Sequence, residues 1–173
     1  MNLQQLLRQY NRGDRNFSNG SYRAVSWPRT MLSGADFSFC DFAEADLSYT
    51  DLTRANLALS SLTYAELIST DLSGANLQGV HAVGAKLTDA SLVGANLKGA
   101  DLRMADLSNV DFSGANLAQA LLEGANLRDA NLTCARIEPD QLETTTCEGA
   151  HLKALDTAAC RELAKTAQWT AWS

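Results

Sequence analysis

Only two histidines occur in the 173 residues, His81 and His151, and neither sits near a recognisable nucleophile or metal-ligand motif. The four cysteines are as scattered: Cys40, Cys134, Cys147 and Cys160 form no CxxC pair. That argues against a zinc site and against a disulfide framework, and the thiols read as small apolar fillers. No stretch approaches the roughly 18 consecutive apolar residues of a membrane span. The start, Met1-Asn2-Leu3-Gln4-Gln5, lacks the apolar run of a secretory signal, so a cytoplasmic protein is expected. These absences leave no candidate catalytic, cofactor or metal residue, and the chain reads as a non-enzyme.

What is present is a period of five. From Phe17 to Leu152 every fifth residue falls on one unbroken phase. Between Leu32 and Ile137 its 22 occupants are 17 Leu, three Phe, one Ile and Ala82. Two residues earlier stands Ala in 15 of 22 pentads, and between the two stands Asp or Asn in 14. Such a period excludes a helix, because at about 100° per residue successive leucines would scatter around the cylinder. It excludes a continuous strand as well, since an odd repeat throws successive leucines onto opposite faces. The chain must therefore turn once per pentad. Nine of the eleven glycines occupy the same slot, two residues after the leucine, where a tight turn tolerates them best. Short sides joined by turns describe an all-β solenoid with Leu and Ala filling its axis.

Repeats such as Gly74-Ala75-Asn76-Leu77 and Gly124-Ala125-Asn126-Leu127 resemble the pentapeptide-repeat family. The resemblance runs from Phe17 to Leu152, without an insertion. It implies a right-handed quadrilateral β-helix with four pentads per coil, hence about seven coils and a rod roughly 34 Å long. In that register residues twenty apart stack. Asn56, Asn76, Asn96 and Asn116 form one column, followed by Arg136; Asp51, Asp71 and Asp111 form another, interrupted by Ser91. Both read as supports for turns and ladders.

One domain is expected, in three parts: a helical cap over residues 1–16, the repeat over 17–155, and a second helical cap or dimer contact over 156–173. In the first, Leu3, Leu6, Leu7 and Tyr10 share one helical face. In the last, Asp156 is a candidate N-cap, and Leu163, Trp169 and Trp172 are the apolar groups for covering the final coil or pairing two copies through a terminus. Three places depart from the pattern. Val80 and Ala82 exchange volumes. Glu138-Pro139-Asp140-Gln141 predicts a distorted coil or small loop as far as Cys147. Trp27-Pro28-Arg29 keeps phase only loosely.

Residues 1–30 carry a net charge of +4 and residues 31–150 a net charge of −11, but nine of the 17 acids in the latter lie in the Asp/Asn slot. Much of the acidity thus belongs to the fold. Phe39, Tyr49, Leu59, Tyr64 and Ile68, in outward or corner slots, are the candidate partner patch. The leading functional expectation is a rigid scaffold for a protein partner, with no cofactor, no membrane and no direct nucleic-acid binding. The resemblance supplies two alternatives: an acidic DNA mimic that binds DNA gyrase, and a cyanobacterial-type regulator.

Overall fold

In the stretch Asn96-Leu97-Lys98-Gly99-Ala100 every backbone N–H has a partner. Asn96 donates back to Ala75 O of the preceding coil at 2.9 Å, and Leu97 donates forward to Asn116 O at 2.8 Å. Gly99 donates to Ala118 O at 3.0 Å, while Ala100 closes the turn on Leu97 O at 3.0 Å. The last donor, Lys98 N–H, reaches the Oδ1 of Asn96 at 3.3 Å. Paired donors are what a backbone withdrawn from water requires. The accounting explains the Asp/Asn slot, because a short side-chain oxygen meets the N–H two residues on. All fifteen Asp or Asn residues of that slot from Asn16 to Asn131 accept this bond.

The computed structural model describes residues 2–151. Parallel β-bridges join residues twenty apart, from Asn16 and Asp36 to Asn131 and His151, so four pentads close one coil. The result is the expected right-handed quadrilateral β-helix. At each corner from Asn19 to Cys134 the residue two after the central one has a φ between 53° and 71°. Positive φ there, with the closing bond three residues apart, is the geometry of a type II turn. Sixteen of these corners carry a residue other than glycine. Leu57, Leu77, Leu97 and Leu117 stack on the axis, and Val80 and Ala82 are both buried, so the exchange of volumes keeps the tube filled.

The first coils hold the aromatic side chains. Phe17, Tyr22, Trp27, Phe37 and Phe42 pack together with ring centroids 5.0–5.9 Å apart. Trp27 thus corrects the expectation of loose phase: it is buried, and its N–H donates to Asp46 O at 2.8 Å. Its indole fits because Phe42 meets it edge-on. Gly20 leaves the inward space that the Tyr22 ring fills. Over this end lies α1, Leu3–Asn11, started by a capping box between Asn2 and Gln5. Leu6 is fully buried, Leu3, Leu7 and Tyr10 pack beside it, and Tyr10 Oη donates to Ser33 O at 2.8 Å. The unpaired edge of the first coil is thereby covered.

At the other end the departure after Ile137 is a 3-10 turn, Pro139–Leu142, followed by return to phase at Thr146, which bridges to Asn126. Here side chains replace the missing ladder. Gln141 Nε2 donates to Leu117 O at 2.9 Å and to Ala120 O at 2.6 Å, and Gln119 N–H donates to Glu138 Oε2 at 3.4 Å. The expected helix from Asp156, with Cys160, Leu163, Trp169 and Trp172, lies outside the described residues.

The side-chain ladders have a direction. Asn56 donates its amide to Asp36 at 2.9 Å, Asn76 to Asn56 at 3.1 Å, Asn96 to Asn76 at 3.4 Å and Asn116 to Asn96 at 3.2 Å. Asn126 donates likewise to Asp106 and Asn131 to Asp111. The Asn amides in these ladders all point toward the preceding coil, so a carboxylate, which only accepts, serves at the start of a ladder. Asp71 breaks that order by stacking on Asp51. The change Asp71→Asn supplies the missing donor and removes a like-charge contact. A gain of about 0.5–1 kcal/mol is expected in denaturant unfolding; an unchanged or lower midpoint would contradict the directional rule. In the opposite sense, Leu97→Asp buries an unpaired carboxylate and costs several kcal/mol. Retention of the wild-type melting temperature would show that the axis is not where Leu97 points.

Candidate interaction surface

With the axis filled and the Asp/Asn oxygens engaged in turns, the outward chemistry lies on four corners that run the length of the rod. Each corner is a column of residues twenty apart. One carries Phe39, Leu59 and Gly79; the next carries Glu44, Tyr64, Gly84, Met104 and Gly124. A third carries Arg29, Tyr49, Ser69 and Asp89, and the fourth Gly34, Arg54 and Gly74.

This geometry divides the candidate partner patch. Phe39 and Leu59 stand together on the first corner and are exposed. Tyr64 is exposed on the second. Tyr49, with the half-buried Ile68 beside it, lies on the third, diagonally across the rod from Phe39. Tyr49 is also occupied, since the Arg29 guanidinium stacks over its ring at 5.1 Å. Sequence reasoning missed Met104, 69% exposed on the Tyr64 corner, and Val93, Leu121 and Met31, although a count in steps of twenty places Met104 under Tyr64. Val83, Arg103, Met104, Glu123 and Gly124 line a shallow groove of about 460 Å³ on that side.

Corner side chains lean toward the coil that follows. A Cβ on Gly79 would stand 2.8 Å from Leu59, on Gly84 2.5 Å from the Tyr64 ring, and on Gly124 2.5 Å from Met104 Sδ. Glycine at these three places therefore provides both the positive φ and the room for the neighbour above. At Gly99 and Gly114 nothing approaches within 4 Å, and only the φ matters.

Among the described residues, four ion pairs join charged groups within the rod. Lys86 meets Glu66 at 2.9 Å, Arg103 meets Asp101 at 2.7 Å, Arg128 meets Glu148 at 2.6 Å, and Arg23 pairs with Glu44. The Arg103 guanidinium holds the Asp101 carboxyl below its ordinary range. Burial pushes Asp106 up, but Ser108, Thr88 and Asn126 donate to it and leave it lower than usual. Burial drives the Cys40 thiol up to about 11, so it remains a neutral filler donating to Phe17 O at 3.2 Å. Cys40 and Cys147 are free thiols, whereas Cys134, at a corner, is not one of them. His81 and His151 are exposed, and no group of His, Cys, Asp or Glu among the described residues is arranged to hold a metal.

The profile of pentapeptide repeats matches the chain in eight copies that span residues 29–57, 40–79, 75–114 and 111–138. The chain belongs to the pentapeptide-repeat family. No curated protein sequence matches it. Among solved pentapeptide-repeat structures, Rfr23 from the cyanobacterium Cyanothece 51142 is 22% identical, with a TM-score of 0.57 over 85% of this chain and 100% of that one. HetL, involved in heterocyst differentiation regulation in Nostoc sp. strain PCC 7120, is 24% identical, with a TM-score of 0.50 over 88% and 93%. QnrB1, a plasmid-mediated fluoroquinolone resistance protein, is 18% identical, with a TM-score of 0.43 over 87% and 94%. The likenesses to Rfr23 and HetL show the common fold. No helix among the described residues is long and apolar enough to cross a membrane.

The leaning corners generate a comparison within one protein. Gly84→Ala is expected to cost about 1 kcal/mol more than Gly99→Ala, because both strain φ but only the first displaces an aromatic ring. Chemical denaturation measures the difference. In a Tyr64→Gly background the excess should vanish, as a double-mutant cycle would record; equal costs in the wild-type background would remove the leaning contact from the account.

Proposed function

We propose that this pentapeptide-repeat protein is a non-enzymatic, rigid scaffold of the cytoplasm that binds a protein partner along its outer corners. One observation carries the reading: inside the rod nearly every polar group is spent on the fold, while large apolar side chains stand exposed where the fold itself prefers glycine. Phe39, Leu59, Tyr64 and Met104 all occupy corner positions with positive φ, which a glycine would fill with less strain. Contiguous apolar groups on an otherwise polar surface mark interaction sites. The regulatory role of HetL is consistent with a cyanobacterial-type regulator, at a level of likeness that speaks only to fold.

An acidic DNA mimic that engages DNA gyrase is the second reading, and the net charge of −6 is the observation in its favour. Against it, eight aspartates of the repeat slot are tied to turn N–H groups and present their charge in fixed, internally engaged positions. Two measurements separate the readings. Affinity capture from lysate of the source cell should retrieve a partner with the wild-type protein and lose it when Phe39, Leu59, Tyr64 and Met104 are all replaced by glycine. Gyrase supercoiling should be unaffected at micromolar protein. Dose-dependent inhibition, relieved by neutralising Asp89, Glu123 and Asp129, would replace the scaffold with the DNA mimic.

A further inference from the structure

The second corner differs from the other three in continuity. Tyr64 covers the position of Gly84 and Met104 covers that of Gly124, so two side chains make an unbroken apolar crest over four successive coils. At about 4.8 Å per coil the crest is roughly 14 Å long and one residue wide. Carboxylates border it on both sides. Glu66 and Asp106 lie just past Tyr64 and Met104 on one flank; Asp101 and Glu123 lie on the other. The cations along this stretch are already engaged, Lys86 by Glu66 and Arg103 by Asp101. Asp106 and Glu123 have no ion pair among the described residues, which leaves the flanks with surplus negative charge.

We infer that the corner from Tyr64 to Gly124 is the docking ridge for a cationic amphipathic helix, a segment whose single apolar stripe is bordered on both sides by Lys or Arg. This rests on the scaffold reading and names the partner's chemistry. Three features select that occupant. The crest runs from coil to coil in a single column, as a helical stripe laid along it would. Its two side chains stand two coils apart, about 9.6 Å, close to the 10.5 Å that separates residues i and i+7 of a helix. The two carboxylates without an ion pair among the described residues, Asp106 on one flank and Glu123 on the other, complement bases on both edges of the stripe, which steers the encounter and fixes its register. By contrast, the Phe39 and Leu59 corner is shorter, since Gly79 and Gly99 follow with no further large apolar side chain, and its acids, Asp36 and Asp41, border Phe39 alone, with Asn56 and Ser61 beside Leu59.

The probe is a synthetic 14-residue helical peptide with leucines at i, i+3, i+4 and i+7 spacing and lysines on either side. Its control replaces every lysine with glutamate. Fluorescence anisotropy at about 0.15 M salt reads binding without strong long-range steering. The lysine peptide should bind the wild-type protein and lose at least tenfold in affinity to Tyr64→Gly/Met104→Gly. Glycine is native to this corner at 84 and 124, so the variant keeps its fold, which circular dichroism checks. Phe39→Gly/Leu59→Gly should bind as wild type does, and the glutamate peptide should not bind. The inference is overturned if the lysine peptide fails to bind, if both peptides bind alike, or if the Phe39/Leu59 variant rather than the Tyr64/Met104 variant loses binding. The two levels of the reading can fail separately. A partner captured equally by wild type and by Tyr64→Gly/Met104→Gly removes the ridge and leaves the scaffold, whereas a wild-type protein that captures nothing removes the scaffold itself.

Discussion

Turning a corner every five residues while pairing the backbone donors of each side is the requirement from which the other features of this rod descend. Three donors per pentad bond to neighbouring coils, and a fourth closes the turn. The fifth would be stranded at the first outward position, were it not for an Asp or Asn side chain placed to receive it. That one oxygen explains the dominant polar residue of the repeat. Once it is fixed in place, the amide of an Asn has one direction left in which to reach its neighbour, toward the coil before. The ladders acquire their polarity as a consequence of the turn, and the aspartates acquire their preferred place at the foot of each ladder.

The same requirement sets the character of the surface. Closing the turn forces positive φ at the corner, where glycine is easiest and any other residue is held against its preference. Corner side chains lean over the following coil, so a large residue is best succeeded by a glycine twenty positions later. Leu59 and Gly79, Tyr64 and Gly84, and Met104 and Gly124 obey this pairing. The fold thereby produces ridges that alternate between covered glycines and exposed apolar groups, with acidic sides supplied by the turn-forming aspartates. Two structural necessities, the corner and the turn oxygen, together compose a surface on which an interaction partner finds both grease and charge.

Much of this was legible in the sequence because the period is exact in length and its constraints are local. The axis of leucines, the turn at the glycine slot, the Asn column, the N-terminal helix and the break after Ile137 all follow from spacing and residue type. Trp27 misled because its volume exceeds that of a usual central residue, and its ring is held by aromatic partners in its own and the following coil, Tyr22 and Phe42. The side-chain substitutes at the break were hidden for a related reason. Gln141 serves two carbonyls, Leu117 O and Ala120 O, that lie a full coil away, and nothing in the local pattern of residues 138–145 announces that reach.

The partner patch shows a different kind of gap. Its five residues are neighbours when counted by coil but not when counted by corner. Phe39 and Tyr49 are ten residues apart, half a turn of a twenty-residue coil, and so face opposite ways. In a solenoid, distance along the chain converts to direction as well as to height, and a surface is continuous only along a column or between adjacent columns. Tyr64 and Met104 satisfy that condition at a separation of forty, whereas Tyr49 and Phe39 fail it at ten. Recognition by a rod of this kind is therefore expected to be written along its corners, in residues that look remote in sequence and stand one above another in the fold.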